Sequence, residues 1–313
     1  MFIKKMRKLF LFLIFIFIKF NCFSEIIIIP NLGISFGFQG EYLYSPYSEK
    51  LWSYLEWEEK PSANIGIDFF YKLKNSNFKF SFSYTLPVQC GKMTDSDWSE
   101  SEIKYAYSVN ENKIKCNLFF ETEYNYELMI NKTISILPAV DLKFYYSSYE
   151  ARNGYGWYGT EEWSKNGELV PWNDENAHFF PDGKYKLAGI DFFRYTFIFG
   201  IGLISNLNFN RINISTDLQI SPFSYIYSID HHLGKTNDFK YEEIQYPIFK
   251  YFNANIQISY KINKLLKLYF KYNLETCLKT KGKSYRNMTS KSYQDSGSAF
   301  KFNNFNFGLG FVL

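Results

Sequence analysis

The chain has 313 residues, 46% of them hydrophobic and 21% aromatic, yet its mean hydropathy is −0.26. Aromatic richness without overall greasiness argues against a helical membrane protein, whose spans each need about 20 consecutive apolar residues. The formal net charge is only +4, and no basic stripe of the kind that neutralises phosphates stands out, so no nucleic-acid partner is expected.

Residues 1 to 24 carry most of that charge. Lys4, Lys5, Arg7 and Lys8 precede the apolar run LFLFLIFIFI, and Cys22 and Ser24 supply small residues before Glu25. The pattern is that of a secretory signal peptide, too short and wrongly flanked for a stable span. It holds five of the 35 basic residues and none of the 31 acidic ones, leaving a near-neutral chain of 30 against 31. Residues 25 to 313 contain no second apolar stretch of helical-span length and are expected to form one domain. Three cysteines remain (Cys90, Cys116, Cys277), widely and irregularly spaced. They suggest neither a disulfide framework nor a metal site.

From there the chain reads in period two. Ten segments are predicted as strands, at about 31 to 45, 51 to 72, 78 to 91, 103 to 127, 133 to 158, 185 to 206, 211 to 228, 246 to 262, 265 to 284 and 298 to 313. In FKFSFSYTL (78 to 86), Phe78, Phe80, Phe82, Tyr84 and Leu86 share one face and Lys79, Ser81, Ser83 and Thr85 the other. The same alternation returns at 252 to 262, at 266 to 274 and up to Leu313. Such strands have one oily and one wet side. Sandwiches alternate too, but these segments exceed the usual five or six residues of a globular strand. Short turns at 74 to 77, 129 to 132, 206 to 210 and 263 to 264 also alternate with longer polar loops near 92 to 102, 159 to 184, 229 to 245 and 284 to 296. The expected fold is therefore all-β: a ten-stranded antiparallel transmembrane barrel with short periplasmic turns, long extracellular loops and aromatic girdles.

Parity puts the loops after the third and seventh segments outside the cell. The first contains MTDSDW and the second YSIDHHLG. Asp95 and Asp97 are two residues apart, as are Asp230 and His232, which aims each pair one way in extended chain. Segments four apart can face one another across a ten-stranded lumen. A histidine oriented by a carboxylate can act as general base. Two close carboxylates cannot both ionise freely and can share a proton around one water. The constellation thus suits hydrolysis without a covalent intermediate. Isolated acidic triplets in loops are also common by chance. A calcium or zinc site lacks further ligands at suitable spacing, and no cofactor is expected. His178, in the longest loop, reads as a solvated residue.

Six motifs in order give the chain a resemblance to the omptins, outer-membrane endoproteases built as ten-stranded barrels. NLGISFGFQGEYLY (31 to 44), YLEWE (54 to 58), MTDSDW, FPDG (180 to 183), IDHH and the segment from YFNANIQISYKI to the C-terminus are similar to family elements on the corresponding connections. The resemblance implies peptide-bond cleavage by a water held between Asp95/Asp97 and the Asp230–His232 dyad. It also implies that Glu41 lies in the pocket for the side chain preceding the cleaved bond, favouring Arg or Lys there. Ser228 stands where the family keeps a second acidic pocket residue, which weakens the field selecting a cation. The lipopolysaccharide-binding positions of the family fall near Phe144, Tyr146 and Phe193, and aromatic rings cannot make the phosphate contacts of arginine. Dependence on lipopolysaccharide is therefore not expected, although outer-membrane lipid surrounds the barrel and polypeptides at the cell surface are the implied substrates. A silent barrel acting as adhesin or receptor through the Trp-rich third loop is the alternative. A small pore ranks last, because inward side chains would fill so narrow a ring.

Overall fold

The computed structural model describes residues 24–183, 187–233, 239–287 and 294–313; the expected signal peptide, apart from Ser24, lies outside them. Every regular element described is a strand. β1 (Ser24–Tyr44), β2 (Leu51–Leu73), β3 (Ser76–Thr85) and β4 (Val88–Trp98) are followed by β5 (Lys104–Tyr126), the two-residue β6 (Leu128–Met129), β7 (Ile134–Tyr158) and the short β8 (His178–Phe180). β9 (Ile190–Phe209), β10 (Ile212–His232), β11 (Phe239–Gln245), β12 (Tyr251–Lys261), β13 (Leu266–Cys277), β14 (Gly282–Arg286) and β15 (Gln294–Val312) complete the set.

All ladders are antiparallel, and β15 pairs back onto β1 from Ile27↔Val312 to Leu43↔Ser296. β3 with β4, β12 with β11, and β13 with β14 are the lower and upper parts of single wall strands, so the ring has the ten wall strands expected. Closure pairs each of the ten wall strands on both sides.

The ring is inside-out in polarity. Leu32, Leu142, Leu218 and Phe307 are each about 60% exposed or more on the outer face, whereas Lys79, Glu121, Lys143 and Asp217 are buried within. Lys79 pairs with Glu121, and Lys143 Nζ lies 3.5 Å from Glu121, 2.6 Å from Gln219 Oε1 and 3.2 Å from Tyr251 Oη. Charges withdrawn from the outer face and matched within are what a lipid surround demands.

One belt of irregularity divides wall from mouth. Register runs from Ser221 to Tyr251, Cys277, Phe300 and Gln39 around the ring. Near this level β10 bulges between Ile220 and Phe223, β2 between Glu59 and Ser62 opposite Ser35 and Gly37 of β1, and three wall strands break. Pro87 and Pro247, which donate no backbone hydrogen bond, sit in two of the breaks. Gly91 adopts φ +72 beside the first break, where a Cβ would approach Glu58 Oε2 to 2.9 Å. Above the belt, β4, β11 and β14 carry the wall upward.

Those upper parts correct several predicted boundaries. The third strand runs to Trp98 instead of ending near 91, the seventh runs to His232 instead of 228, and the eighth begins at Phe239 instead of 246. Asp95, Asp97, Asp230 and His232 therefore stand on paired strands, not in loops. Alternating hydropathy reports contact with lipid and fades above it, whereas backbone pairing continues.

If Leu142 faces hydrocarbon, Leu142→Arg is expected to destabilise the barrel by about 2–4 kcal/mol, read from urea unfolding in lipid vesicles. A loss below about 0.5 kcal/mol, the range of ordinary surface substitutions, would contradict the assignment.

Candidate active site

Strand pairing fixes the mouth residues with little freedom. Asp95 lies opposite Leu55 on β2 and Ser108 on β5, and Asp97 opposite Ser53 and Ala106. Across the ring, Asp230 lies opposite Phe192 on β9 and Tyr241 on β11. Ile226, Ser228 and Asp230 are buried in alternation, so one face of β10 delivers Asp230 and His232 inward together. All four residues, with Leu43 and Tyr241, line one cleft of about 510 Å³ at the end of the ring opposite Ile27 and Val312. Among the described residues no group of three or more His, Cys, Asp and Glu side chains is arranged to hold a metal ion.

His232 Nε2 lies 2.7 Å from Asp230 Oδ2. An ionised carboxylate only accepts, so Nε2 donates and Nδ1 is the basic nitrogen of the neutral ring. The Tyr241 ring meets the imidazole edge-on at 5.6 Å. Asp230 is buried, and its Oδ1 has no hydrogen-bond partner among the described residues. Unpaired buried oxygens are scarce in folded proteins and call for a functional explanation.

Burial and, next, the negative charge of Asp97 push the Asp95 carboxyl well above its usual 3.8; Asp230 adds to the shift and His232 opposes it. Asp95 therefore senses both members of the opposite pair. Lys104 stands nearby in an aromatic box, 4.3 Å from the Tyr107 ring centre and 5.4 Å from that of Trp172. Its charge acts on both Asp95 and Asp97, although burial lowers its own affinity for a proton. Trp163 and Phe180, 5.0 Å apart from ring to ring, bring the third loop to the cleft. His178, in the same loop, keeps part of its ring exposed and lies 2.9 Å from Asp182 through Nε2.

Glu41 and Ser228 occupy the layer beneath. Glu41 is 1% exposed and accepts a bond from Trp57 Nε1 at 3.2 Å. Ser228 is fully buried and accepts from Arg194 Nε at 3.0 Å. Neither lines the cleft. Two residues of this layer are not among those the sequence singles out. Glu243 falls in a predicted loop, where no inward face is defined. Arg194 does carry a signal: in FFRYTF it alternates with the outward Phe193 and Tyr195, a lone cation on an inward face.

Fold and polarity define a closed β-barrel with an apolar outer face, the form in which sheets cross membranes. A sequence profile of the Omptin family matches residues 23–312, and the chain belongs to that family. This membership supports an outer-membrane protease. The structure is similar to that of the outer membrane protease OmpT from Escherichia coli, with TM-score 0.80 and 17% identity over 92% of this chain and 97% of that one. The translocator domain of the autotransporter NalP from Neisseria meningitidis (TM-score 0.35, 9% identity, 98% and 95% coverage) and OprG from Pseudomonas aeruginosa (0.34, 8%, 93% and 95%) overlap only loosely. No curated protein sequence matches the chain.

A carboxyl whose folded pKa is raised binds protons that the unfolded chain releases, so its contribution to stability falls as pH rises from about 3.8. Asp97→Asn removes the charge that disfavours ionised Asp95. The variant is expected to unfold at higher urea than wild type at neutral pH and to converge with it in acid. Equal midpoints at both pH values would show the two carboxylates to be uncoupled.

Proposed function

We propose that the protein is an endopeptidase that hydrolyses polypeptides with a water held between Asp95/Asp97 and the Asp230–His232 dyad, in a cleft open to the cell exterior. The observation that carries the reading is convergence: two acid–base pairs from wall strands four apart line one cleft, and Asp95 feels the charge of His232. The outward orientation rests on the long connection between β7 and β9 at this end and the tight turns at the other, the usual arrangement of outer-membrane barrels.

In this scheme His232 takes a proton from the water as the water oxygen attacks the peptide carbonyl carbon, and Asp230 stabilises the imidazolium that forms. Asp95 and Asp97 together hold one proton, so one of them can donate a hydrogen bond while the other accepts from the water. Collapse of the tetrahedral intermediate breaks the C–N bond, and the imidazolium returns its proton to the leaving amine. No covalent enzyme intermediate is required.

The resemblance implies through Glu41 a basic side chain beside the cleaved bond. That preference needs an acidic pocket open to the cleft, and Glu41 is buried against Trp57 with Arg194 close by. The proposed activity is therefore hydrolysis of polypeptides at large. Independence from lipopolysaccharide is part of it: on the outer face Phe144 packs on Phe197 at 4.8 Å and Tyr146 on Tyr195 at 5.0 Å, so these positions offer aromatic rings where a phosphate would need a guanidinium.

Asp95→Ala and His232→Ala are each expected to lower kcat on internally quenched peptides by about 10²–10⁴-fold or more, with heat-modifiable migration of the folded barrel unchanged. Wild type as inert as the variants would favour the adhesin reading. Adding lipopolysaccharide to detergent-refolded protein is expected to change the rate by less than about twofold, because Phe144, Tyr146 and Phe193 cannot pair with its phosphates; strong stimulation would contradict that part of the proposal.

A further inference from the structure

The buried layer beneath the cleft contains a cation that the water-activating scheme does not use. Arg194 is 2% exposed and sits one layer below Asp230. Its guanidinium donates to Ser228 Oγ at 3.0 Å, Gln39 Oε1 at 3.1 Å, Ser298 Oγ at 3.2 Å and the Gly40 carbonyl at 3.3 Å. All four acceptors are neutral. The acids of this layer are engaged elsewhere: Glu41 accepts from Trp57, and Glu243 Oε2 from Gln245 Nε2 at 3.4 Å.

Register places these groups around one spot. Ser228 is flanked by Arg194 on β9 and Glu243 on β11, and Glu41 lies opposite Ser298 on β15. Above them Leu43, Asp230 and Gln294, each two residues further toward the mouth than Glu41, Ser228 and Ser296, line the cleft. Buried carboxyl groups are thus gathered from β1 and β11, with Asp230 above, around Arg194. Both glutamates are held above their ordinary range, Glu41 well above and Glu243 to about 8, first by burial; Arg194 opposes the shift in each. Carboxyls buried this deeply favour their neutral form and a cation beside them favours the ionised one, while the surrounding hydroxyl, amide and carbonyl oxygens fit the planar fork of a guanidinium.

We propose that Arg194 is a built-in occupant of the pocket beneath the dyad, set there by the fold, and that it determines specificity by exclusion. The wild-type cleft then turns away arginine and lysine side chains from this subsite and takes uncharged ones. Removing the Arg194 side chain opens a site for a guanidinium, supplied in solution or on a substrate. The specificity part rests on the endopeptidase reading; the binding part does not.

The test uses refolded full-length wild type, Arg194→Ala and Arg194→Met, the last retaining bulk without charge. Methylguanidinium chloride, against sodium chloride at equal ionic strength, is expected to raise the thermal midpoint of Arg194→Ala and leave those of wild type and Arg194→Met unmoved. In parallel, peptides differing only in the residue before the cleaved bond are expected to give wild type a kcat/KM at least about tenfold higher for an uncharged residue than for arginine, and Arg194→Ala the reverse order. Selective cleavage after arginine by wild type would overturn the proposal, even if no Arg194 variant folded. So would an Arg194→Ala barrel indifferent to methylguanidinium. If no peptide is cut by any form, the endopeptidase reading fails while the methylguanidinium shift still decides whether the pocket exists.

Discussion

The whole structure depends on ring closure through the β1–β15 ladder. In hydrocarbon every backbone N–H and C=O must find its partner within the protein, and a sheet achieves this only without edges. Closure also fixes which way each side chain points. Residues of one parity meet lipid and are Leu, Ile and Phe; those of the other meet each other and are Lys, Glu, Asn and Ser. The interior is therefore a set of matched charges and amides such as Lys79, Glu121 and Lys143, costly to bury singly and tolerable as a network.

The site is the same ring continued beyond the lipid. Above the belt of bulges the wall no longer has to present apolar groups outward, and the mouth strands carry acids and aromatics on a frame that remains hydrogen-bonded. This gives Asp95, Asp97, Asp230 and His232 rigid support, the condition under which side-chain geometry is held closely. It also permits electrostatic stress. Asp95 beside Asp97, and Glu41 and Glu243 about Arg194, are arrangements a protein selected for stability alone would avoid.

The part of this architecture that is legible in the sequence is set by what alternation measures. Phe78 to Leu86 declare a strand because lipid touches every second residue; Asp95 and Asp97 do not, because no lipid reaches them, and the predicted third strand stops at 91, short of Trp98. The pairs at 95/97 and 230/232 are still correctly aimed, since a two-residue spacing gives the same facing wherever the chain is extended. Glu41 can be assigned to the inner face, but its bond to Trp57 and the arrival of Arg194 from β9 depend on contacts between residues up to 155 positions apart, which no local pattern encodes. Lys104 is likewise hidden: its aromatic box draws on Tyr107 and on Trp172 of the third loop.

The central claim is that the acid pair and the dyad act on one water as a unit. A double-mutant cycle on kcat, using Asp95→Asn and His232→Gln singly and together, tests it most directly. Groups serving one transition state are strongly non-additive, so the double variant is expected to be little slower than the worse single one. Losses that multiply would mean that the two pairs work independently, and a single shared water between them would be ruled out.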